Sequence, residues 1–188
     1  MVVGAGRRTE FTNCNTINVN CSLTFVGESA EGTIVEGGFN FATHENDPKD
    51  RVIVAGLESM TVLKSISNGV TVGKAAKLDA TECHFHHNRH SGVEVEEFTA
   101  TAHLTNCTFH DNKYDGVIAL CGGVVDLMGE GTSVRDNGRY GLATFHSGTT
   151  ISVYQPCVLN DMCHGNMDQN IKEYGGIVQQ IKTVRNKL

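Results

Sequence analysis

Tryptophan is missing from this 188-residue chain, and proline occurs only twice. Glycine, in contrast, occurs 21 times, a share of about 11% against a usual share of roughly 7%. Much glycine with almost no proline describes an ordered chain with many tight turns, not a linker. No apolar run approaches the roughly 18 residues of a membrane span, so no membrane is expected as a partner. The opening Met1-Val2-Val3-Gly4-Ala5-Gly6-Arg7-Arg8 lacks the charged-then-apolar layout of a secretory signal. Basic residues are not in excess: the formal net charge is −6, which argues against a nucleic-acid partner. Hydrophobic residues make up 39% and charged residues 19%, enough apolar material for one packed domain.

The chain also lacks any CxxC pair. Its cysteines number seven, an odd count: Cys14, Cys21, Cys83, Cys107, Cys121, Cys157 and Cys163. Spacing and count both speak against a zinc ribbon and against a complete disulfide framework. Buried free thiols in a reducing compartment such as the cytoplasm, or inside an assembled particle, are the expectation.

What is present is a repeat. Thr81-Glu82-Cys83-His84-Phe85-His86-His87-Asn88, then Gly92-Val93, matches Thr105-Asn106-Cys107-Thr108-Phe109-His110-Asp111-Asn112, then Gly116-Val117. The shared pattern extends to an apolar anchor at Val62, Phe85, Phe109, Val134 and Val158. Three residues on stand Ser65, Asn88, Asn112, Asn137 and Asp161, and seven residues on stand Gly69, Gly92, Gly116, Gly141 and Gly165. Between the glycines, Val93-Glu94-Val95-Glu96 and His84-Phe85-His86 alternate with period two, the sign of strands. Long helical periodicity is absent before the last twenty residues, and the LxxLxL frame of leucine-rich repeats is missing.

A two-dozen period of short strands with a fixed turn residue predicts an all-β, single-domain parallel β-helix of about seven to eight rungs. At about 4.8 Å per rung the rod is roughly 35 Å long. The helix is assigned to residues 1–174, with 175–188 as a last strand or C-terminal tail. The anchor column points inward, with Cys83, Cys107 and Thr132 two residues earlier on the same face. The asparagines sit at a turn, where each side chain can bond its own copy and the backbone of the next rung. The glycines mark a positive φ or a close approach of the chain to itself.

These residues resemble the right-handed parallel β-helix repeat family, the pectate-lyase-like superfamily, most clearly over about residues 60–166. The short β-helix proteins of algae and large DNA viruses are similar too. Residues 22–41 resemble an early rung, and Met1–Arg8 reads as the middle of one, so the chain is expected to be a fragment or to pair its open end with another copy. The resemblance implies a fold but no single activity. Enzymes of the superfamily carry local motifs that this chain departs from. Asn15-Thr16-Ile17 lacks the aspartate of N-T-D, Cys163-His164-Gly165 lacks the leading glycine of G-H-G, and Asp47-Pro48 is followed by Lys49 instead of histidine.

Outward columns are the remaining candidates. His86, His110 and Arg135 should stack, beside Asp111 and Asp136, with Tyr114 and Tyr140 nearby: donors for carboxylates, acceptors for hydroxyls and rings for stacking. His86 and Asp111 could meet across one rung for acid–base chemistry. The set His84, His86, His87 and His110 is weighed as a metal site and set aside, and no cofactor is expected. Ile118, Leu120 and Phe145 should form an apolar outer patch, covered by the C-terminal segment or by a second copy. The expected function is a non-catalytic structural or interaction module within a larger assembly. The alternative is a carbohydrate-active lyase, epimerase or hydrolase, or a binding module, acting on acidic polysaccharide. The expected partners are another copy, another protein, or that polysaccharide.

Overall fold

The computed structural model describes residues 6–9, 15–48 and 50–182. Cys14, Lys49 and the basic end at 183–188 therefore lie outside the described residues. Each period contributes three short strands. The first rung holds β1 (Gly6–Thr9), β2 (Thr16–Val19) and β3 (Leu23–Val26). The second holds β4 (Thr33–Glu36), β5 (Gly38–Phe41) and β6 (Ile53–Glu58). The third holds β7 (Thr61–Leu63), β8 (Val70–Val72) and β9 (Ala76–Thr81). The fourth and fifth hold β10 (His84–His86), β11 (Val93–Glu96) and β12 (Thr101–Thr105), then β13 (Thr108–His110), β14 (Val117–Leu120) and β15 (Val124–Met128). The sixth holds β16 (Ser133–Arg135), β17 (Tyr140–Phe145) and β18 (Thr150–Tyr154). After the single helical turn α1 (Leu159–Met162), the last rung holds β19 (Cys163–His164), β20 (Gln169–Tyr174) and β21 (Ile177–Ile181).

Strands of like position pair in parallel, giving three sheets of seven strands each. The chain is thus a parallel β-solenoid of about seven turns. Period-two alternation sends every second residue into the bore. Phe85 lies opposite Val62, Phe109 and, one rung further, Val134, and the Phe85 and Phe109 rings stack at 5.3 Å. In the third sheet the inward column runs Leu57, Ala80, Leu104, Leu127 and Val153, all buried. Cys83, Cys107 and Thr132 are buried with them. The six described cysteines are all free, but Cys21 and Cys121 are exposed. Burial thus holds for four of the six.

An internal amide ladder locks the rungs at the turn after the anchor. Ser65 N donates to Asn88 Oδ1 (3.0 Å), Asn88 N to Asn112 Oδ1 (3.2 Å), Asn112 N to Asn137 Oδ1 (3.2 Å) and Asn137 N to Asn166 Oδ1 (3.1 Å). Side-chain amides repeat the three asparagine-to-asparagine steps at 2.9–3.0 Å. Glycine follows because the chain runs against the next rung there. A Cβ on Gly92 would lie 2.7 Å from Gly116 O, and one on Gly116 would lie 2.8 Å from Gly141 O. Close approach, not a positive φ, is the reason for this column.

The last rung departs from the expected register. β19 pairs Cys163 with Val134, so Cys163, not Val158, fills the anchor place. Val158 is 45% exposed and precedes α1. Asn166, not Asp161, continues the ladder. Gly165 falls opposite Asp136, at the turn, with φ +68, and Asn170 O closes on Gly141 instead. The physical cause is α1, which lengthens this period. Within the C-terminal segment, Ile177–Ile181 is a strand that pairs with β18.

Candidate functional site

In the three-residue strands β10, β13 and β16 only the middle residue turns inward, so the flanking pair faces out. Registration then stacks His86, His110, Arg135 and His164 in one column. The His86 and His110 rings lie parallel with centroids 4.7 Å apart. His164 was hidden from sequence reasoning by the lengthened last period.

The next residue in each rung takes a left-handed backbone: His87 φ 55, Asp111 φ 53 and Asp136 φ 55. That turn folds its side chain back onto the column residue just before it. His86 Nδ1 and His87 Nδ1 lie 2.7 Å apart, one ring donating to the other. His110 Nδ1 donates to Asp111 Oδ2 at 2.7 Å, and Arg135 Nη1 donates to Asp136 Oδ2 at 2.8 Å. Each of these rungs therefore carries its own closed pair. The close partner of Asp111 is His110 of its own rung, not His86 across one.

Charge follows this geometry. Burial first, then the neighbouring imidazoles of His110 and His87, push His86 down to about 4, so it is neutral near pH 7. Burial also lowers His84. The hydrogen bond from His110 holds the Asp111 carboxyl below its ordinary range. Among the described residues no group of three or more His, Cys, Asp or Glu is placed to hold a metal ion.

Tyr114 and Tyr140 stand apart from this ladder, at the corner leading to the second sheet. Arg139 lies over the Tyr140 ring at 4.5 Å. His90 meets Tyr114 edge-on at 5.4 Å. Tyr114, His90, Asn68, Glu94, Asp115 and Arg139 line a cleft of about 270 Å³. Burial, with Glu96 second, pushes the Glu94 carboxyl up to about 7, and burial raises Asp115 too. Asp115 is 1% exposed, accepts a hydrogen bond from Tyr140 N at 3.1 Å and faces Arg139 Nε at 3.7 Å. The alternation of Val93-Glu94-Val95-Glu96 puts Glu94 on the outer face of β11, but does not show that it lines this cleft.

The expected apolar patch is mostly closed over by the chain itself. Ile118 is only 7% exposed, because it lies in the wall of this same cleft. Phe145 stacks on Tyr174 of the next rung at 4.8 Å, with Arg139 5.7 Å from its ring. Leu120 pairs with Phe145 in register and stays part-exposed. Tyr174 is the in-register neighbour of Phe145 in β20, not a segment folded back over the patch.

Comparison with known proteins matches the chain to a family. The family described as Right handed beta helix region covers residues 1–167. No curated protein and no solved structure matches the chain.

Proposed function

The chain belongs to the right-handed β-helix family, and from that premise we propose that it is a non-catalytic interaction module, a rigid rod that serves as a structural part of a larger assembly. The observation that carries this reading is the mutual pairing of the outer charges. His110 is taken by Asp111 and Arg135 by Asp136, each within 2.8 Å, and His86 is uncharged near neutral pH. A wall that grips an acidic polysaccharide needs free cationic donors aimed at carboxylates. These donors are already engaged, and in the neighbouring cleft Arg139 faces Asp115. What remains is a ladder whose polar groups are paired within each rung, suited to contact with another surface.

The test is incubation of the full chain with polygalacturonate and alginate, with product formation and binding both followed. The expected result is no turnover and no salt-sensitive binding, while light scattering or cross-linking reports association with a protein surface or a second copy. Release of unsaturated or shortened uronate products would overturn the proposal.

A second reading rests on the Glu94–Asp115 cleft alone. A carboxyl near pKa 7 beside a buried, Arg-facing carboxyl is the arrangement of an acid and a base acting on a neutral sugar. Turnover of a neutral glycan that disappears in Glu94→Gln would select this reading over the first.

A further inference from the structure

The corner that follows the second sheet carries a different constellation. Glu96, Leu120, Phe145 and Tyr174 are register partners, so the residues after them stack in successive rungs: Glu97, Cys121, His146 and Gly175. All four have left-handed backbone, with φ 83, 48, 73 and 83, and all four are exposed. Cys121 Sγ lies 3.4 Å from His146 Nδ1, within reach of a thiol hydrogen bond to the ring. The turn that presents the imidazole is fixed, since His146 N donates to Tyr174 O at 2.7 Å.

An aromatic ring lies beside this pair. Phe98 is 77% exposed, yet it rests on glycine backbone. A Cβ on Gly122 would come within 2.3 Å of Phe98 Cδ1, and one on Gly148 within 3.2 Å of Phe98 Cε1. An exposed thiol, a proton acceptor one rung away and an uncovered apolar platform therefore share one corner.

We propose that Cys121, His146 and Phe98 form a covalent capture site for a low-molecular-weight disulfide bearing an aromatic or apolar group. His146 Nδ1 takes the Sγ proton, because the thiolate is the nucleophile. The thiolate attacks one sulfur of R–S–S–R, the S–S bond breaks, and Cys121–S–S–R forms. The departing RS⁻ carries away the electron pair and recovers the proton from the imidazolium. The ligand disulfide is itself the oxidant. Phe98 supplies the surface on which the R group lies. Cys83, Cys107, Cys157 and Cys163 are buried and do not compete, and burial pushes the Cys163 thiol up to about 12.

The full chain itself contains the control, because Cys21 is exposed as well. Protein is mixed with dipyridyl disulfide or with oxidised glutathione, quenched at intervals and mapped by mass spectrometry. Cys121 should be modified about tenfold faster than Cys21 at pH 7, because His146 Nδ1 stands 3.4 Å from its sulfur to take the proton as the thiol attacks. His146→Asn, a residue that tolerates the left-handed turn, should bring Cys121 down to the rate of Cys21. Phe98→Ala should slow dipyridyl disulfide and leave oxidised glutathione unchanged. Equal rates at Cys121 and Cys21 in the unaltered protein would overturn the proposal without recourse to any variant, as would a His146→Asn chain that reacts at the full rate.

Discussion

Asn112→Ala tests the amide ladder where it is most enclosed. Asn112 is 1% exposed, and its side chain makes four hydrogen bonds. Its Oδ1 accepts from Asn88 N at 3.2 Å and from Asn88 Nδ2 at 2.9 Å. Its Nδ2 donates to Asn137 Oδ1 and to Phe85 O, both at 3.0 Å. Alanine removes the amide and leaves the backbone in place. Asn88 N, Asn88 Nδ2 and Phe85 O then lose these partners, while Asn137 Oδ1 keeps the bond from Asn112 N. Each orphaned buried group costs ~1–3 kcal/mol. With some relief from water entering the vacated space, the sum is roughly 3–5 kcal/mol. Asn112→Asp should cost at least as much at neutral pH, since it sets an acceptor against Asn137 Oδ1 and Phe85 O, and should recover in part in acid, where the protonated carboxyl regains a donor. Urea unfolding followed by circular dichroism reads both, with exposed Lys113→Ala as a control expected within about 0.5 kcal/mol of the parent. If Asn112→Ala unfolds within 1 kcal/mol of the parent by about the same slope, the ladder does not hold the rungs in register.

Gly116→Val would place a Cβ 2.4 Å from Val134 Cγ1 and 2.8 Å from Gly141 O, and is expected to cost roughly 3 kcal/mol or more by overpacking; a parent-like melting temperature would refute the stacked glycine column. Thr144 Oγ1 is buried without a hydrogen-bond partner, so the isosteric Thr144→Val should raise stability by about 1 kcal/mol, and a loss on urea unfolding would contradict that. Glu94, raised from 4.5 to about 7, binds its proton more tightly folded than unfolded, so its contribution is full below about 4.5 and lost as pH rises through 7; Glu94→Gln should match the parent at pH 4 and exceed it by about 2–3 kcal/mol at pH 8. His86, lowered from 6.5 to about 4, has the opposite sign: stability is full above 6.5 and falls as pH drops toward 4, by about 1–2 kcal/mol after allowance for solvent screening, so the melting temperature of His86→Asn should gain on the parent only in acid.

The parts of the fold legible in the sequence are those that every rung must satisfy alike. An inward phenylalanine or valine, a buried asparagine and a crowded glycine face the same neighbours in each turn, so the same residue recurs and the period shows. Legibility stopped at the last rung. There α1 lengthens the chain between Val134 and Cys163, and a fixed step from Val134 lands on exposed Val158 instead. The outer ladder was visible as a column, but its pairing was not. The left-handed turn at Asp111 and Asp136 returns each carboxylate to its own rung, and spacing alone cannot distinguish that from a contact across rungs. Ile118 failed as an exposed residue for a related reason. Alternation says which way a side chain leaves the sheet, not whether a corner curls over it, and here that corner is the cleft of Tyr114 and Arg139.

Chemistry in such a rod is therefore assembled at two ranges. Pairs such as His110–Asp111 are sequence neighbours, and each closes within its own rung. Cys121 and His146 are 25 residues apart, one full turn, and meet only because parallel strands stack at about 4.8 Å. No local motif could announce that pair, since the distance between its members is the period of the fold itself. The positions free to vary from rung to rung are the left-handed corners, where Glu97, Cys121, His146 and Gly175 share a place yet share no chemistry. A side chain there is released from core packing, and Cys121 finds its partner in the next repeat. In a solenoid, function specific to one chain is thus read by stepping one period at a time along the corners that the repeat does not constrain. Applied to this chain, that reading leads from Cys121 to His146.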